Sequence, residues 1–522
     1  MTPTRIGVFG WGLVAPGARD IDAFATMMLG QDSQLSRFDG FGPSNFLVGN
    51  PSFDFAAWRP WIDARFPPNR YPLLERKFGD PAKFAIASFI QALGQNPAME
   101  DELRALGPAA QVIVGGGLTD LPTYDRLGRT LERVQRRWNR FWAQPERNAA
   151  LRRHLAGTLD ATAPADPRGV DDELARDDAE DAWWSYWAAR SDALAEYLAA
   201  LREIEGVDVG EDVDTAKASV IKAKQRGARE LRVRWGAPEA PWEQSMAPAL
   251  WNIASTPSSQ ISMLGHITGM CFSPYAACST FGFALKLGMD AIQRGEAKLV
   301  VVGATDPPPN PLSVAGFYDA RVISHDGEVS KPLTGLRGTH VAGGATVWII
   351  GDLDHYRAKG WRPLGLEPVA VGVTADADHI ITPSKAGAIE AIRIALAKAH
   401  VAPEEIGAFD MHATGTPGDL NELELLREVL PASCCFSARK GRFGHGMGAG
   451  GGWELTAQYL GHVSGAYFPT PITADELHPR IRAVHRRFVL RDAVPVERPW
   501  VGKLSMGVGG VNACVISRTL PD

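Results

Sequence analysis

The chain predicts an α/β fold with an inserted helical segment, on three observations. Strand-like apolar runs alternate with helix-period segments over most of the 522 residues. The alternation occurs twice, in two halves that echo each other weakly. Between Arg126 and Glu243 the composition shifts to Arg, Asp, Glu, Ala and Trp. The first half opens on the strand Arg5-Ile-Gly-Val-Phe-Gly, continues through Gln111-Val-Ile-Val-Gly-Gly-Gly, and closes on Ala297-Lys-Leu-Val-Val-Val-Gly-Ala. Before that last run, Phe281, Leu285, Met289 and Ile292 recur at helical spacing, which predicts a helix over Ser279–Arg294. The second half starts near Ala345-Thr-Val-Trp-Ile-Ile-Gly. It runs through Val369-Ala-Val-Gly-Val and a helix from Lys385 to His400, and ends on strands around Lys503-Leu-Ser-Met and Ala513-Cys-Val-Ile-Ser. The expected division is therefore 1–125 with 244–344, the segment 126–243, and 345–522.

Composition narrows the function classes. With 45% apolar residues the chain can bury a large core, and a net charge of -6 gives no reason to expect nucleic acid. No apolar span reaches the ~20 residues of a membrane helix. The stretch Met263–Met289 is broken by His266, Ser273, Pro274 and several glycines. The opening residues read as a strand without the organisation of a signal peptide. Cys271, Cys278, Cys434, Cys435 and Cys514 are too few and too irregular for a disulfide framework, so a reducing cytoplasm is expected. Adjacent Cys434 and Cys435 lack zinc-site spacing and read as strand or core residues; no metal site is expected.

Three segments carry chemistry. Cys278 lies in Tyr275-Ala-Ala-Cys-Ser-Thr-Phe-Gly-Phe, at the head of the predicted helix. A helix N-terminus favours thiolate there. His412 lies in His-Ala-Thr-Gly-Thr-Pro-Gly-Asp, and His445 ends Lys440-Gly-Arg-Phe-Gly-His ahead of Gly-Met-Gly-Ala-Gly-Gly. One thiol and two imidazoles among glycines make a candidate reaction centre. Gly10-Trp-Gly-Leu-Val-Ala15 and Gly446–Gly451 also fit loose dinucleotide patterns. Pro16-Gly17 breaks the helix start that such a site needs, and no strand ending in an acid follows at the proper distance.

In kind, order and internal spacing these motifs resemble the β-ketoacyl synthases, the condensing enzymes of fatty acid and polyketide synthesis. The resemblance extends to the opening strand, to Glu296–Leu333 and to Gly507-Val-Gly-Gly510-Val-Asn512. It implies a thiolase-like, five-layered αβαβα fold of two similar halves, with 126–243 as an inserted helical subdomain. It also implies a decarboxylative Claisen condensation of an acyl thioester with a malonyl-type thioester. Cys278 is the implied acyl acceptor, and His412 and His445 the neutral donors to the enolate. Lys440 and Glu454 are a supporting pair for His445, and the backbone N–H groups of Cys278 and Val508 form an oxyanion hole. Thr414, Thr416, Val508 and Gly509 contact substrate; the alternative for the two threonines is a helix cap or turn. No tightly bound cofactor is implied, since phosphopantetheine arrives on acyl carrier protein or coenzyme A. A homodimer is expected, or a heterodimer with a related subunit.

The chain departs from the family pattern at several places. Val508 stands where most elongating members carry phenylalanine, Gly343 replaces a glutamate in Ala342-Gly-Gly-Ala345, and Ala413 replaces a glycine. Leu504-Ser-Met replaces Asn-Ser-Phe ahead of the final glycine loop. A non-condensing chain-length or scaffolding homologue that binds carrier protein is the alternative function; the retained Cys278, His412, His445 and Lys440 argue against it, while the altered glycine loop keeps it open. A non-decarboxylative thiolase needs a second cysteine motif that Cys514 does not supply. In 126–243, Trp183, Trp184, Trp187, Leu194, Tyr197, Leu198 and Leu201 fall at helical spacing. They read as packing of the inserted helices onto the parent domain or as a docking face. Arg133, Arg136, Arg137 and Arg140 suit an acidic carrier protein or a solvated helix face.

Overall fold

Strand β1, Ile6–Val14, is buried at every position, as a strand covered on both faces must be. In this computed structural model, which describes residues 4–159, 162–206, 215–244, 246–378, 384–484 and 486–520, β1 forms the edge of a five-stranded sheet. The others are β2 (Ala110–Gly115), β3 (Cys271–Phe272), β4 (Leu299–Asp306) and β5 (Gly344–Asp352), in spatial order β1-β5-β4-β2-β3. β5 runs antiparallel to both neighbours and the remaining pairs are parallel.

The second sheet holds β6 (Glu367–Ala375), β7 (Ile406–Asp410), β8 (Cys435–Ser437), β9 (Arg487–Phe488), β10 (Trp500–Gly507) and β11 (Val511–Arg518). Its order is β9-β8-β7-β10-β11-β6. With β9 set aside as an edge addition, both sheets read first, fifth, fourth, second, third along the chain. Each has its fifth strand antiparallel to both neighbours. The duplication that the sequence shows only faintly is thus plain in the strand order. It also relocates Ala345-Thr-Val-Trp-Ile-Ile-Gly: that run opens no second half, but as β5 it completes the first sheet.

The chain divides into two units, Met1–Thr123 with Pro248–Asp522, and Tyr124–Ala247. The helices used below are α1 (Asp80–Leu93), α2 (Leu121–Trp142), α3 (Glu173–Ala188), α4 (Asp192–Glu205), α5 (Thr215–Trp235), α6 (Thr280–Gln293), α7 (Lys385–Ala399), α8 (Gly418–Val429), α9 (Lys440–Phe443) and α10 (Met447–Val463). In the larger unit α6 and α10 lie between the sheets. Phe281, Leu285 and Leu455 share one core with Val300 and Val302 of β4 and with Val371, Ala408 and Val515 of the second sheet. Every residue of α10 except Leu460 and Val463 is buried, as expected of a helix enclosed on all sides. α1 covers the outer face of the first sheet and α7 that of the second, giving five layers in the order αβαβα.

The glycines of Gly10-Trp-Gly serve this layering. A Cβ on Gly12 would lie 2.0 Å from the Ser88 carbonyl oxygen of α1, so the pair lets helix and strand approach and forms no phosphate loop. In the smaller unit, Trp138, Trp142, Trp183, Trp187 and Tyr197 bury one another in a core of their own, with Trp142 and Tyr197 5.1 Å apart. The tryptophans of the inserted segment, exposed Trp242 apart, therefore pack its interior. Part of its arginine stripe is neutralised internally: Arg136 pairs with Glu132 at 2.9 Å and Asp181 at 2.6 Å, and Arg140 pairs with Glu180. Cys434, Cys435 and Cys514 are buried strand-region residues.

Candidate functional site

Cys278 occupies a short 3-10 turn, Ala277–Ser279, that runs directly into α6. The turn holds Ala277 in a left-handed conformation (φ 47°), a strain of about 1–3 kcal/mol that the surroundings must enforce. They do so through the two hydroxyls that follow Cys278. Ser279 donates to the carbonyls of Ser505 (3.0 Å) and Val511 (2.8 Å). Thr280 donates to the Gly116 carbonyl at 3.0 Å and accepts from the Ala276 amide at 3.0 Å.

His445 reaches the same point from the second half of the chain. Its main chain is stitched to β5's approach, donating to the His340 carbonyl (2.7 Å) and accepting from the Ala342 amide (2.9 Å). Its Nε2 stands 3.1 Å from the Cys278 sulfur. The His412 ring lies 5.3 Å away, centre to centre, and almost perpendicular at 80°. All three side chains line one cavity of about 400 Å³, together with Thr414, Thr416 and Val508. Leu118, Phe317 and Leu425 contribute apolar wall.

Burial dominates the electrostatics. It pushes the Cys278 thiol up to about 11, against the opposing pull of Lys440 and of the Val508 and Cys278 amides. The expected gain in thiolate character at the helix start is therefore outweighed, and the resting group is a thiol. Both imidazoles are held well below their usual range, first by burial and then by Lys440, so both are neutral. The two amides that oppose the rise of the thiol, those of Val508 and Cys278, are the two groups assigned to an oxyanion hole.

The Lys440–Glu454 pair is present at 2.7 Å, but its contacts differ from those expected. Lys440 Nζ donates to the main-chain carbonyl of His412, and no bond joins the pair to the His445 ring among the described residues. The pair therefore fixes the path of the His412 loop, while His445 is placed by its own main chain. Gly509 falls outside the cavity lining. Its φ of 91° and the Gly510 N–H to Gly507 carbonyl bond (3.0 Å) make it the third residue of a tight hairpin turn. Thr416 serves two ends, lining the cavity while its hydroxyl accepts from the Gly418 amide (3.2 Å) at the start of α8.

Sequence reasoning missed four charged groups. Glu422 of α8 accepts from the amides of His412 (2.5 Å) and Ala413 (2.7 Å). Asp419 accepts from Thr414 (2.8 Å) and Leu333 (2.8 Å). Lys503 joins Glu454 at 2.9 Å, and Asp306 ends β4 beside α10. Lys503 and Asp306 carried a partial signal, since a charged residue inside an otherwise apolar strand is almost never buried unless paired, though the partner stayed hidden; Asp419 and Glu422, on a helix rich in charge, carried none.

Residues 200–355 match the family model described as beta-ketoacyl synthase, N-terminal domain, and residues 367–470 the one for its C-terminal domain. A chloroplastic 3-oxoacyl-[acyl-carrier-protein] synthase I of Hordeum vulgare is 30% identical over 214 residues, 39% of this chain and 46% of the relative. A 3-oxoacyl-[acyl-carrier-protein] synthase 2 of Staphylococcus aureus is 28% identical over 252 residues, 46% of this chain and 61% of the relative. The chain thus spans about half the length of the curated relatives it matches. Among solved structures, the ishigamide ketosynthase/chain length factor aligns over 100% of both chains with a TM-score of 0.68 at 19% identity. A beta-ketoacyl synthase from Burkholderia phymatum covers 99% of this chain and 100% of its own, with a TM-score of 0.67 at 16% identity. The two share the thiolase-like fold described above.

Proposed function

Because the chain belongs to the β-ketoacyl synthase family, we propose that it condenses an acyl thioester with a malonyl-type thioester, with loss of carbon dioxide, through an acyl-Cys278 intermediate. The observation that carries this reading is the 3.1 Å approach of His445 Nε2 to the Cys278 sulfur inside a cavity that His412 also lines.

In the first half-reaction the sulfur attacks the thioester carbonyl, and the Val508 and Cys278 amides receive the developing oxyanion. The thiol proton passes by way of His445 to the departing carrier thiol. In the second, the malonyl group loses carbon dioxide and leaves an enolate, which neutral N–H donors of His412 and His445 stabilise. The carbanion attacks the acyl-Cys278 carbonyl, a carbon–carbon bond forms, and the cysteine sulfur leaves as a thiolate and takes a proton from solvent. Lys440, Glu454 and Glu422 hold the His412 loop through both steps. Thr414 and Thr416 contact the pantetheine arm, which comes and goes with the substrate, so the reaction needs no resident cofactor.

Acyl carrier protein is the proposed donor. A dimer, with a second copy or a related subunit, is supported by exposed Met270 and Phe272 beside and on β3, the outermost strand of the first sheet. Among the described residues no helix is long and apolar enough to cross a membrane, and the cysteines are unpaired; we place the protein in the cytoplasm. Intact-mass measurement after incubation with a panel of acyl thioesters, then with a malonyl carrier, tests the reaction. An adduct on the native protein, absent from Cys278→Ala and discharged by the malonyl carrier, is the expected result. An uncharged Cys278 throughout would leave a carrier-binding, non-condensing subunit.

A further inference from the structure

Gly117 and Gly448 stand closer than any side chain permits: a Cβ on Gly448 would lie 2.6 Å from the Gly117 nitrogen. One belongs to the turn that leaves β2, the other to the first turn of α10. Between them sits Asp306, the last residue of β4, with no solvent exposure. Its Oδ1 accepts from the amides of Gly117 (2.8 Å) and Leu118 (2.6 Å), and its Oδ2 from Ala449 (3.1 Å). Burial pushes this carboxyl up to about 7, against the pull of the surrounding amides, that of Gly448 among them. Once ionised, above about pH 7, the carboxylate is acceptor-only and matches these three N–H donors; a protonated acid or an amide would turn a donor against them.

Both clamped segments border the reaction centre. Leu118 lines the cavity with Cys278, and a Cβ on Gly117 would lie 3.2 Å from the carbonyl oxygen of Ala277, the residue before the cysteine. On the other side α10 begins at Met447, whose left-handed φ of 47° turns the chain out of the segment that carries His445. A shift of either segment changes the gap between sulfur and imidazole.

We infer that Asp306 is a positioning residue: its buried carboxylate ties the Gly117–Leu118 turn to the head of α10 and thereby sets how Cys278 and His445 face each other. It touches no reacting atom itself. The carboxylate also opposes ionisation of Cys278, so its charge is felt at the sulfur as well as its geometry. The kinetic part of the inference rests on Cys278 being the acyl acceptor; the structural part does not.

Asp306→Asn tests it, with Gly117→Ala as the second variant, since that methyl would meet the Gly448 nitrogen at 2.8 Å while leaving the carboxylate in place. Three quantities are read: cooperative melting, the rate of acyl-adduct formation on Cys278, and the pH midpoint of its alkylation by iodoacetamide. For Asp306→Asn the expectation is a cooperative melt at lower temperature, an acylation rate down by about 10²-fold, as for a catalytic group displaced by ~1 Å, and an alkylation midpoint moved downward. For Gly117→Ala acylation falls likewise. A residue that only stabilises the fold would lower the melting temperature alone; acylation at the native rate, or an unmoved midpoint in Asp306→Asn, overturns the inference. Should Asp306→Asn not fold, native-rate acylation by Gly117→Ala overturns it instead. If the native protein takes no acyl group from any thioester, the condensing reading fails, and the alkylation midpoint of Asp306→Asn still decides the clamp.

Discussion

Lys503 reaches Glu454 at 2.9 Å, on the carboxylate oxygen that Lys440 leaves free. The three side chains are nearly inaccessible, so two ammonium groups share one carboxylate in a dry interior. The excess positive charge has a visible consequence: both lysines help to hold His412 below its usual range, after burial, and the same holds for His445. The triad therefore keeps the two imidazoles in the neutral, N–H-donating form that an enolate requires.

Glu454→Gln removes the only negative charge in that triad. Breaking a buried pair by deleting one partner costs about 3–5 kcal/mol, so a loss of this size is expected in denaturant unfolding. Lys440 and Lys503 pull the Glu454 carboxyl below its usual range despite burial. A depressed acid stabilises the fold above its unfolded pKa of ~4.3 and loses that contribution as pH falls through the folded value. The stability gap between native and Glu454→Gln protein should therefore be full at neutral pH and shrink only below about pH 4.

Alkylation of Cys278 should be slow at neutral pH and accelerate as the medium approaches pH 11, because burial pushes the thiol up to about 11. Only the thiolate reacts, so the rate should rise about tenfold per pH unit below that point. Exposed Cys271 serves as an internal reference in peptide mass spectra. A Cys278 that alkylates as readily as Cys271 at pH 7 would contradict the burial argument.

The motifs were legible because they are local: Cys278 with its helix, and the glycine-flanked histidines, each occupy a few consecutive residues. The two-sheet duplication was hardly legible, since the fifth strand of the first half, Gly344–Asp352, is separated from β1 by more than 300 residues and pairs with it only in space. Glu422, Lys503 and Asp306 escaped for the same reason. Each is an ordinary charged residue in sequence and becomes specific only through amides and ammonium groups brought from distant segments. The helix-start argument for Cys278 failed on magnitude: the dipole acts, but desolvation of a fully enclosed thiol is larger.

Glu422 offers a pH test. Burial pushes its carboxyl up to about 7, against the bonds from the His412 and Ala413 amides. Its folded pKa lies above the unfolded ~4.3, so the folded state binds the extra proton between those values and stability falls as pH rises from about 4 to about 7. Glu422→Gln should remove that group's share of the slope and leave the shares of Asp306 and Asp419, whose carboxyls burial pushes up to about 7 and about 6. Protonation also costs Glu422 acceptor capacity toward the His412 loop, so part of the decline in the native condensation rate below about pH 7 should belong to Glu422, beside the part from Asp306, which titrates in the same range. The acid limb of Glu422→Gln should therefore be shallower than the native one, and an identical limb in both would assign it to another group.

Restoring the family's acid at position 343 should fail. A Cβ on Gly343 would lie 2.1 Å from the Pro307 carbonyl oxygen, a backbone atom that cannot swing aside. Gly343→Glu is expected to cost at least the ~1–3 kcal/mol typical of overpacking, read as a lower midpoint in urea. Native-like stability would show that the 307 segment moves.

Val508 separates side-chain from main-chain function within one residue. It lines the cavity and is 42% exposed, while its amide draws the Cys278 thiol downward. The turn Gly507–Gly510, with φ of 91° at Gly509, places Val508 at the second position, where proline is favoured. Val508→Pro therefore keeps the turn and deletes only the N–H. It should lower acyl transfer by about 10²–10³-fold, the usual cost of one oxyanion donor, and raise the alkylation midpoint of Cys278. Val508→Phe keeps the N–H and fills cavity space, so the midpoint should stay and the rates with long acyl thioesters should fall relative to short ones. If Val508→Pro acylates at the native rate, the amide of residue 508 is no part of the oxyanion hole. If Val508→Phe shows an unchanged chain-length profile, the side chain does not gate the cavity.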